Sequence, residues 1–251
     1  MPNFASRYFP LLKNSTLLFF THHHAQATNC TKSLSLFLLF ATLSMETNAQ
    51  MLEKTNPVKF LALGDSYTIG ESVQQDRRWP EQLINALMQK GYTCHQPEIV
   101  AVTGWRTDDL QKAIQSANLS KDYNLVSLQI GVNNQYQGKS MAEYKTQFED
   151  LLETAIEHAG GNKSRVIVLS IPDYGYTPFG KDKRKEISAQ IDAFNSVNKS
   201  VATKRGVTYI NITDISRQSL EDPELIAEDS LHPSGKMYAL WVERILVSCR
   251  L

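Results

Sequence analysis

The sequence has no excess of charge of either sign and no apolar run long enough to cross a membrane. Its 26 basic and 26 acidic residues cancel over 251 positions, so it lacks the charge imbalance typical of proteins that bind nucleic acid. The apolar stretch that follows Lys32 has about a dozen residues, whereas a membrane-spanning helix needs about 20. These absences favour a small or neutral molecule as the partner and leave the oligomeric state open.

The first 49 residues differ in pattern from the rest of the chain. Lys32 precedes the apolar stretch, and Thr47-Asn48-Ala49 follow it, which is the order of positive charge, apolar segment and small-residue cleavage site in a secretory signal. Because some thirty residues precede this pattern, the alternative is that residues 1–31 are disordered or misassigned. We predict a signal peptide within residues 1–49, cleavage after Ala49, and export to the periplasm or the exterior; without the signal the protein would be cytoplasmic.

From residue 57 onward, short apolar runs alternate with amphipathic segments, and no repeat or linker interrupts them. The runs are mostly apolar rather than alternating, which is typical of parallel strands buried on both faces. We therefore predict that residues 50–251 form one α/β domain, a three-layer α/β/α sandwich around a five-stranded parallel sheet of the flavodoxin-like order 2-1-3-4-5. The predicted strands are 58–63, 98–104, 124–131, 165–172 and 207–213, and the predicted helices are 79–91, 107–117, 140–161, 185–206 and 234–249.

Cysteine is scarce, and its positions predict one disulfide. Cys30 would leave with the signal, so that Cys94 and Cys249 remain in a compartment that permits disulfides. Cys94 follows the first helix and Cys249 ends the last, and in the predicted strand order these helices share one face of the sheet. We expect a Cys94–Cys249 disulfide, with two free thiols as the alternative.

Polar residues with catalytic chemistry follow the predicted strands. Ser66 comes after the first, Gly104 after the second and Asn133 after the third, while Asp229 and His232 lie in the loop beyond the fifth. Ligands of parallel sheets bind at the carboxyl ends of the strands. These five residues are therefore expected to meet at one edge of the sheet.

This set of residues contains each component that acyl transfer requires. A serine such as Ser66 becomes a nucleophile when a base takes its proton, and a histidine such as His232 has a suitable pKa of about 6.5. Asp229, three residues earlier, would hold the imidazole in one tautomer. The N–H of Gly104 is open to close approach, and Asn133 offers an amide N–H, so both could stabilise an oxyanion. We predict a serine hydrolase that needs no cofactor and no metal.

Four motifs resemble those of the SGNH hydrolases, also called GDSL esterases/lipases. They are GDSY at 64–67, TGWRT at 103–107, GVNN at 131–134 and DSLH at 229–232, and they occur in the family's order over nearly the whole predicted domain. The chain departs from the family pattern at two positions, with tyrosine at 67 for leucine and asparagine at 134 for aspartate.

The resemblance implies the SGNH hydrolase fold and a role for each matching residue. Ser66 would be the nucleophile, His232 its base and Asp229 the acid that orients the base. The backbone N–H groups of Ser66 and Gly104 and the side-chain amide of Asn133 would form the oxyanion hole.

Three aromatic residues lie in loops at the same edge of the sheet. Trp105, Tyr136 and Tyr174 are predicted to line the substrate pocket, with simple packing as the alternative. The loops are short, which favours a serine esterase for small, short-acyl esters. A lysophospholipase or thioesterase, a carbohydrate deacetylase and a non-catalytic binding module on the same fold remain alternatives.

Overall fold

A computed structural model describes residues 52–251 of the chain. The predicted signal peptide and its cleavage site lie outside the described residues. The predicted sheet is confirmed: five parallel strands pair in the order β2-β1-β3-β4-β5. The strands are β1 (Phe60–Gly64), β2 (Glu98–Ala101), β3 (Leu125–Gln129), β4 (Val166–Leu169) and β5 (Thr208–Ile210).

Helices cover both faces of the sheet. The chain reverses direction along the sheet after β2, so right-handed crossovers place the helix after β1 on the opposite face from those after β2, β3 and β4. The helices are α1 (Ser66–Ile69), α2 (Trp79–Gln89), α3 (Thr107–Ser116), α4 (Val132–Tyr136), α5 (Met141–His158), α6 (Arg184–Arg205), α7 (Thr213–Ser216) and α8 (Gly235–Ser248). The first long helix, α2, packs against the last, α8, while α5 packs against both α3 and α6.

The three central strands are buried on both faces. All residues of β1, β3 and β4 are buried, whereas the edge strands β2 and β5 are partly exposed. Large side chains from the helices complete the core: Trp79 of α2 and Trp241 of α8 are fully buried, and the Trp79 ring lies 5.8 Å from that of Phe60. This core fixes the strand ends from which the functional loops emerge.

Short helices begin just beyond three of the strands. α1 follows β1 after one residue, and α4 and α7 follow β3 and β5 after two residues each. The second turn depends on Gly131, whose φ is +129°, because a Cβ there would lie 2.4 Å from the Tyr144 hydroxyl. The chain therefore turns sharply at the carboxyl edge of the sheet and presents the residues after each strand on a helical first turn.

Cys94 and Cys249 are free thiols, so the predicted disulfide is wrong. The expected packing of the first and last helices is present, but Cys94 lies beyond α2 in an extended bridge beside Val58, next to the start of β1. Cys249 caps α8 within the apolar core, where burial raises the pKa of its thiol to about 12. Each cysteine serves as a small apolar side chain.

Across residues 52–251, no helix is both long enough and apolar enough to cross a membrane.

Candidate active site

The carboxyl edge of the sheet contains a cavity of about 200 Å³. Four of the five predicted polar residues line it: Ser66, Gly104, Asn133 and His232. The fifth, Asp229, contacts it through His232. The topology therefore brings together residues that are far apart in the sequence, as the strand-end argument predicts.

Ser66 is the first residue of α1, immediately beyond β1. Asp65 is the N-cap of that helix and accepts a hydrogen bond from the Tyr67 N–H at 3.1 Å. Burial raises the pKa of the Asp65 carboxyl to about 7, although the backbone N–H groups of Tyr67 and Gly131 oppose the shift. Asp65 therefore holds the turn in place, and Ser66, which is buried, faces the cavity.

Asp229 and His232 form a direct pair. The Asp229 Oδ2 lies 2.6 Å from the His232 Nδ1, and its Oδ1 accepts hydrogen bonds from the N–H groups of Leu231 and His232, both at 2.9 Å. Partial burial acts to raise the pKa of Asp229, but the hydrogen bonds from His232, Ser72 and Leu231 outweigh it and hold the pKa at about 2.

The ionised Asp229 determines which nitrogen of His232 can act as a base. A carboxylate can only accept hydrogen bonds, so the imidazole carries its hydrogen on Nδ1 and has a lone pair on Nε2. The ring is buried and packs edge-on against Tyr67, with centroids 5.7 Å apart. In the described part of the chain, no hydrogen bond joins Ser66 Oγ to His232, but catalytic hydrogen bonds often tighten only when substrate binds.

The three residues predicted to form the oxyanion hole line the cavity and carry N–H groups. The first N–H groups of a helix have no partner within the helix, and Ser66 occupies such a position. Gly104 has a φ of +86°, and a Cβ there would have no heavy atom within 4 Å, so its backbone is open to a ligand. One N–H of the Asn133 amide donates to the Trp105 carbonyl at 2.9 Å, which leaves the second for the cavity.

Asn134, where the family usually has aspartate, connects two of the donor loops. Its Oδ1 accepts from the Thr107 N–H at 3.1 Å, and its Nδ2 donates to the Thr107 hydroxyl at 2.7 Å. The N-cap of α3 is Arg106, and Thr107 is the buried first residue of the helix. The asparagine thus attaches the loop that carries Gly104 to the helix that carries Asn133.

Tyr136 and Tyr174 line the cavity, as predicted, but Trp105 does not. Trp105 is partly buried and packs against the apolar core, because the loop after β2 turns its side chain away at Gly104. Phe179, which the sequence analysis missed, lines the cavity instead. Its position in the same loop as Tyr174, after β4, is the signal that could have identified it.

Ser72 is a second residue that the sequence analysis missed. Its hydroxyl donates to the Asp229 Oδ2 at 2.7 Å, and its φ of +61° lies in the left-handed region. The neighbouring Glu71 carboxylate accepts from the hydroxyl of Thr103, which lies next to Gly104. No local pattern reveals a contact across 157 residues. Loop 71–72 thus holds both the Asp229 carboxylate and the loop that carries Gly104.

We expect Ser72→Ala to lower kcat about tenfold with little change in KM. A hydrogen bond to a charged group contributes about 1.5–3 kcal/mol, and about 1.4 kcal/mol corresponds to tenfold. The loss should appear in kcat because the hydroxyl positions Asp229 without reaching the cavity. Steady-state hydrolysis of phenyl acetate measures both constants.

Ser72→Gly is the matched control, because glycine lacks the hydroxyl but accepts a positive φ without strain. Equal losses in the two variants would identify the hydroxyl as the cause. If Ser72→Gly kept full kcat, the effect of alanine would be one of backbone strain and the positioning role would be wrong.

Residues 52–251 contain no group of three or more His, Cys, Asp or Glu side chains arranged to hold a metal ion.

The family model described as "GDSL-like Lipase/Acylhydrolase family" matches residues 62–240. No curated protein sequence matches the chain. Solved structures share its fold: TesA is 16% identical with a TM-score of 0.61, covering 76% of this chain and 97% of that one. The lipase/acylhydrolase from Enterococcus faecalis is 20% identical with a TM-score of 0.57 (77% and 97% covered). Axe2, an acetylxylan esterase from Geobacillus stearothermophilus, is 17% identical with a TM-score of 0.55 (79% and 97% covered).

Proposed function

The chain belongs to the GDSL-like lipase/acylhydrolase family and is an ester-hydrolysing enzyme; from this premise we propose that it is a serine esterase for small, short-acyl carboxylic esters. The observation that carries the proposal is the Asp229–His232 pair, with Oδ2 and Nδ1 2.6 Å apart, at the cavity that Ser66 lines. A binding module has no need of an ionised carboxylate, an oriented imidazole and a serine at one site.

In the proposed first step, Ser66 Oγ attacks the ester carbonyl carbon while His232 Nε2 takes the serine proton. Asp229 accepts the Nδ1–H and stabilises the imidazolium that forms. The carbonyl oxygen becomes an oxyanion that accepts hydrogen bonds from the N–H groups of Ser66, Gly104 and Asn133. The tetrahedral intermediate then collapses, the C–O bond to the alcohol breaks, and His232 gives its proton to the leaving oxygen.

The second step releases the acid. Water attacks the acyl-Ser66 ester and loses a proton to His232, and a second tetrahedral intermediate forms at the same oxyanion donors. Its collapse returns the proton to Ser66 and frees the carboxylic acid. The protons move only between the substrate, water, Ser66 and His232. No atom changes its oxidation state, so the cycle needs no redox partner.

The size of the cavity supports a short acyl group. Its volume of about 200 Å³ is below the roughly 300–1,000 Å³ of sites that enclose drug-sized ligands. Val132 and Leu231 line it together with the aromatic rings and would pack against a short alkyl group. Axe2, which has the same fold, is an acetylxylan esterase, so in that protein the fold is used with an acetyl ester.

A series of phenyl esters in EDTA tests the proposal. We expect kcat/KM to be highest for the acetate or butyrate and at least about tenfold lower for the octanoate, since a longer chain would not fit within the cavity. A preference for octanoate, for a thioester or for a lysophospholipid would contradict the short-acyl proposal. Binding without hydrolysis of any ester would favour the non-catalytic module.

We also propose export, which rests only on the signal-like pattern of residues 32–50. Amino-terminal sequencing of protein recovered outside the cytoplasm should begin at Gln50.

A further inference from the structure

A groove of about 460 Å³ lies beside the reaction cavity, and one wall separates the two. We call this the aromatic wall; it consists of Tyr136, Tyr174 and Phe179, which line both spaces. The three rings pack against one another, with centroids 6.2–6.3 Å apart. A molecule in the groove would therefore contact the same three rings that line the reaction cavity.

Two rings of the aromatic wall are exposed to solvent, which is unfavourable for apolar surface, and they do not contribute to the buried core. Tyr136 is 61% exposed and Phe179 is 53% exposed, and their rings are neighbours. Adjacent exposed apolar side chains mark ligand-binding grooves more often than isolated ones do. The wall thus has the properties of a surface that a ligand covers.

The aromatic wall is attached to the loop that carries Asp229 and His232. The Phe179 N–H donates to the carbonyl of Ser230, between Asp229 and His232, at 3.1 Å. The chain at Gly180 packs so closely on Tyr174 that a Cβ would come within 2.1 Å of the tyrosine carbonyl oxygen. A ligand bound against the wall would be fixed relative to His232.

The rest of the groove's lining is largely polar and has mixed charge. It carries the amides of Gln135 and Gln190 and the charged groups of Asp182, Lys183 and Glu186. Gln135 is buried and its amide donates to Gln190, while the Gln190 amide is 3.4 Å from the Glu186 carboxylate. These groups offer both donors and acceptors, and charges of both signs face the same space.

We propose that this groove binds the alcohol portion of the ester and that this alcohol is polyhydroxylated, as in a sugar. A sugar ring has C–H faces that pack on aromatic rings and hydroxyls that bond amides and carboxylates, so a neutral polyol suits this lining. An alkyl chain would leave the polar lining residues without ligand partners, at a cost in free energy. The mixed charges of the groove favour neither a cation nor an anion. The inference rests on the proposed esterase function and names its leaving group.

The test compares two acetates that form the same acetyl-enzyme. 6-O-Acetylglucose has a polyhydroxylated leaving group, while the leaving group of phenyl acetate has no hydroxyl besides the ester oxygen. We expect the double variant Glu186→Ala/Gln190→Ala to lower kcat/KM for 6-O-acetylglucose about tenfold or more, mainly through KM, because it removes hydrogen-bonding groups. The change for phenyl acetate should stay within about twofold.

Glu243→Ala, on the exposed surface of α8, is the control for loss of a surface carboxylate. It should leave both substrates unchanged. Equal effects of the double variant on both acetates, or no effect on either, would overturn the groove proposal. A larger response with acetylcholine than with 6-O-acetylglucose would assign the groove to a cation and overturn the polyol class.

A binding measurement separates this inference from the esterase proposal. Saturation-transfer NMR of 6-O-acetylglucose with the Ser66→Ala protein should show contact that the Glu186→Ala/Gln190→Ala changes remove. If phenyl acetate is not hydrolysed but this contact is present, the esterase proposal fails and the polyol groove stands. If Ser66-dependent hydrolysis is present and the contact is absent, the groove proposal fails alone.

Discussion

Ser66→Ala is expected to lose nearly all ester hydrolysis, with a fall in kcat on the order of 10⁴–10⁶-fold. The hydroxyl would form the covalent bond to the acyl group, and alanine offers no nucleophile in its place. The backbone N–H at position 66 and the amide of Asn133 remain, so a residual rate above that of water is expected from the oxyanion donors alone. Initial rates with phenyl acetate in EDTA measure the loss.

Three further variants serve as controls and comparisons for Ser66→Ala. Ser116→Ala removes a serine on α3 whose hydroxyl bonds only within its own helix, and it should retain full activity. His232→Ala should be about as severe as Ser66→Ala, and Asp229→Ala milder, because members of a triad are unequal in cost. Full activity of the Ser66→Ala protein would refute the mechanism.

Asn133→Ala is expected to lower kcat by roughly 10²–10³-fold with little change in KM. One N–H of its amide donates to the Trp105 carbonyl, which holds the amide in place and leaves the second N–H for the oxyanion in our proposal. Such a donor interacts more strongly with the oxyanion than with the ester, so its loss slows the chemical step. Separate determination of kcat and KM for phenyl acetate is the measurement.

Asn134→Ala provides the contrast at the neighbouring asparagine. Asn134 is buried, and both ends of its amide bond Thr107, so its loss should lower thermal stability more than that of Asn133 does.

A raised KM with unchanged kcat in Asn133→Ala would make Asn133 a ground-state binding residue and remove it from the oxyanion hole.

The fold and the motif residues could be predicted because each has a local signature. Apolar runs mark strands buried on both faces, and the strand ends then place Ser66, Gly104, Asn133 and His232 at one edge. The predicted strands are longer than the observed ones. The run 98–104, for example, is a strand only to Ala101, because the chain turns at Gly104. The short helices α1, α4 and α7 were missed, since four or five residues show no helical periodicity.

What the sequence could not show depends on contacts between distant residues. Ser72 meets Asp229 across 157 positions, and nothing near either residue indicates the other. The Cys94–Cys249 disulfide failed although its helices do pack together, because the position of Cys94 depends on the loop after α2 and its bridge to Val58. Trp105 failed as a lining residue because the direction of a loop side chain is set by one turn.

The joining of the first and last elements has a consequence for the timing of activity. Ser66 follows the first strand, whereas His232, the base in our proposal, lies just before α8, which packs against α2. Contacts between such distant segments form late, because the chain must close a long loop before they stabilise it. A ribosome-bound chain that has not released α8 would have most of its sheet and still not hold His232 near Ser66. Hydrolysis would therefore begin only after α8 has left the ribosome.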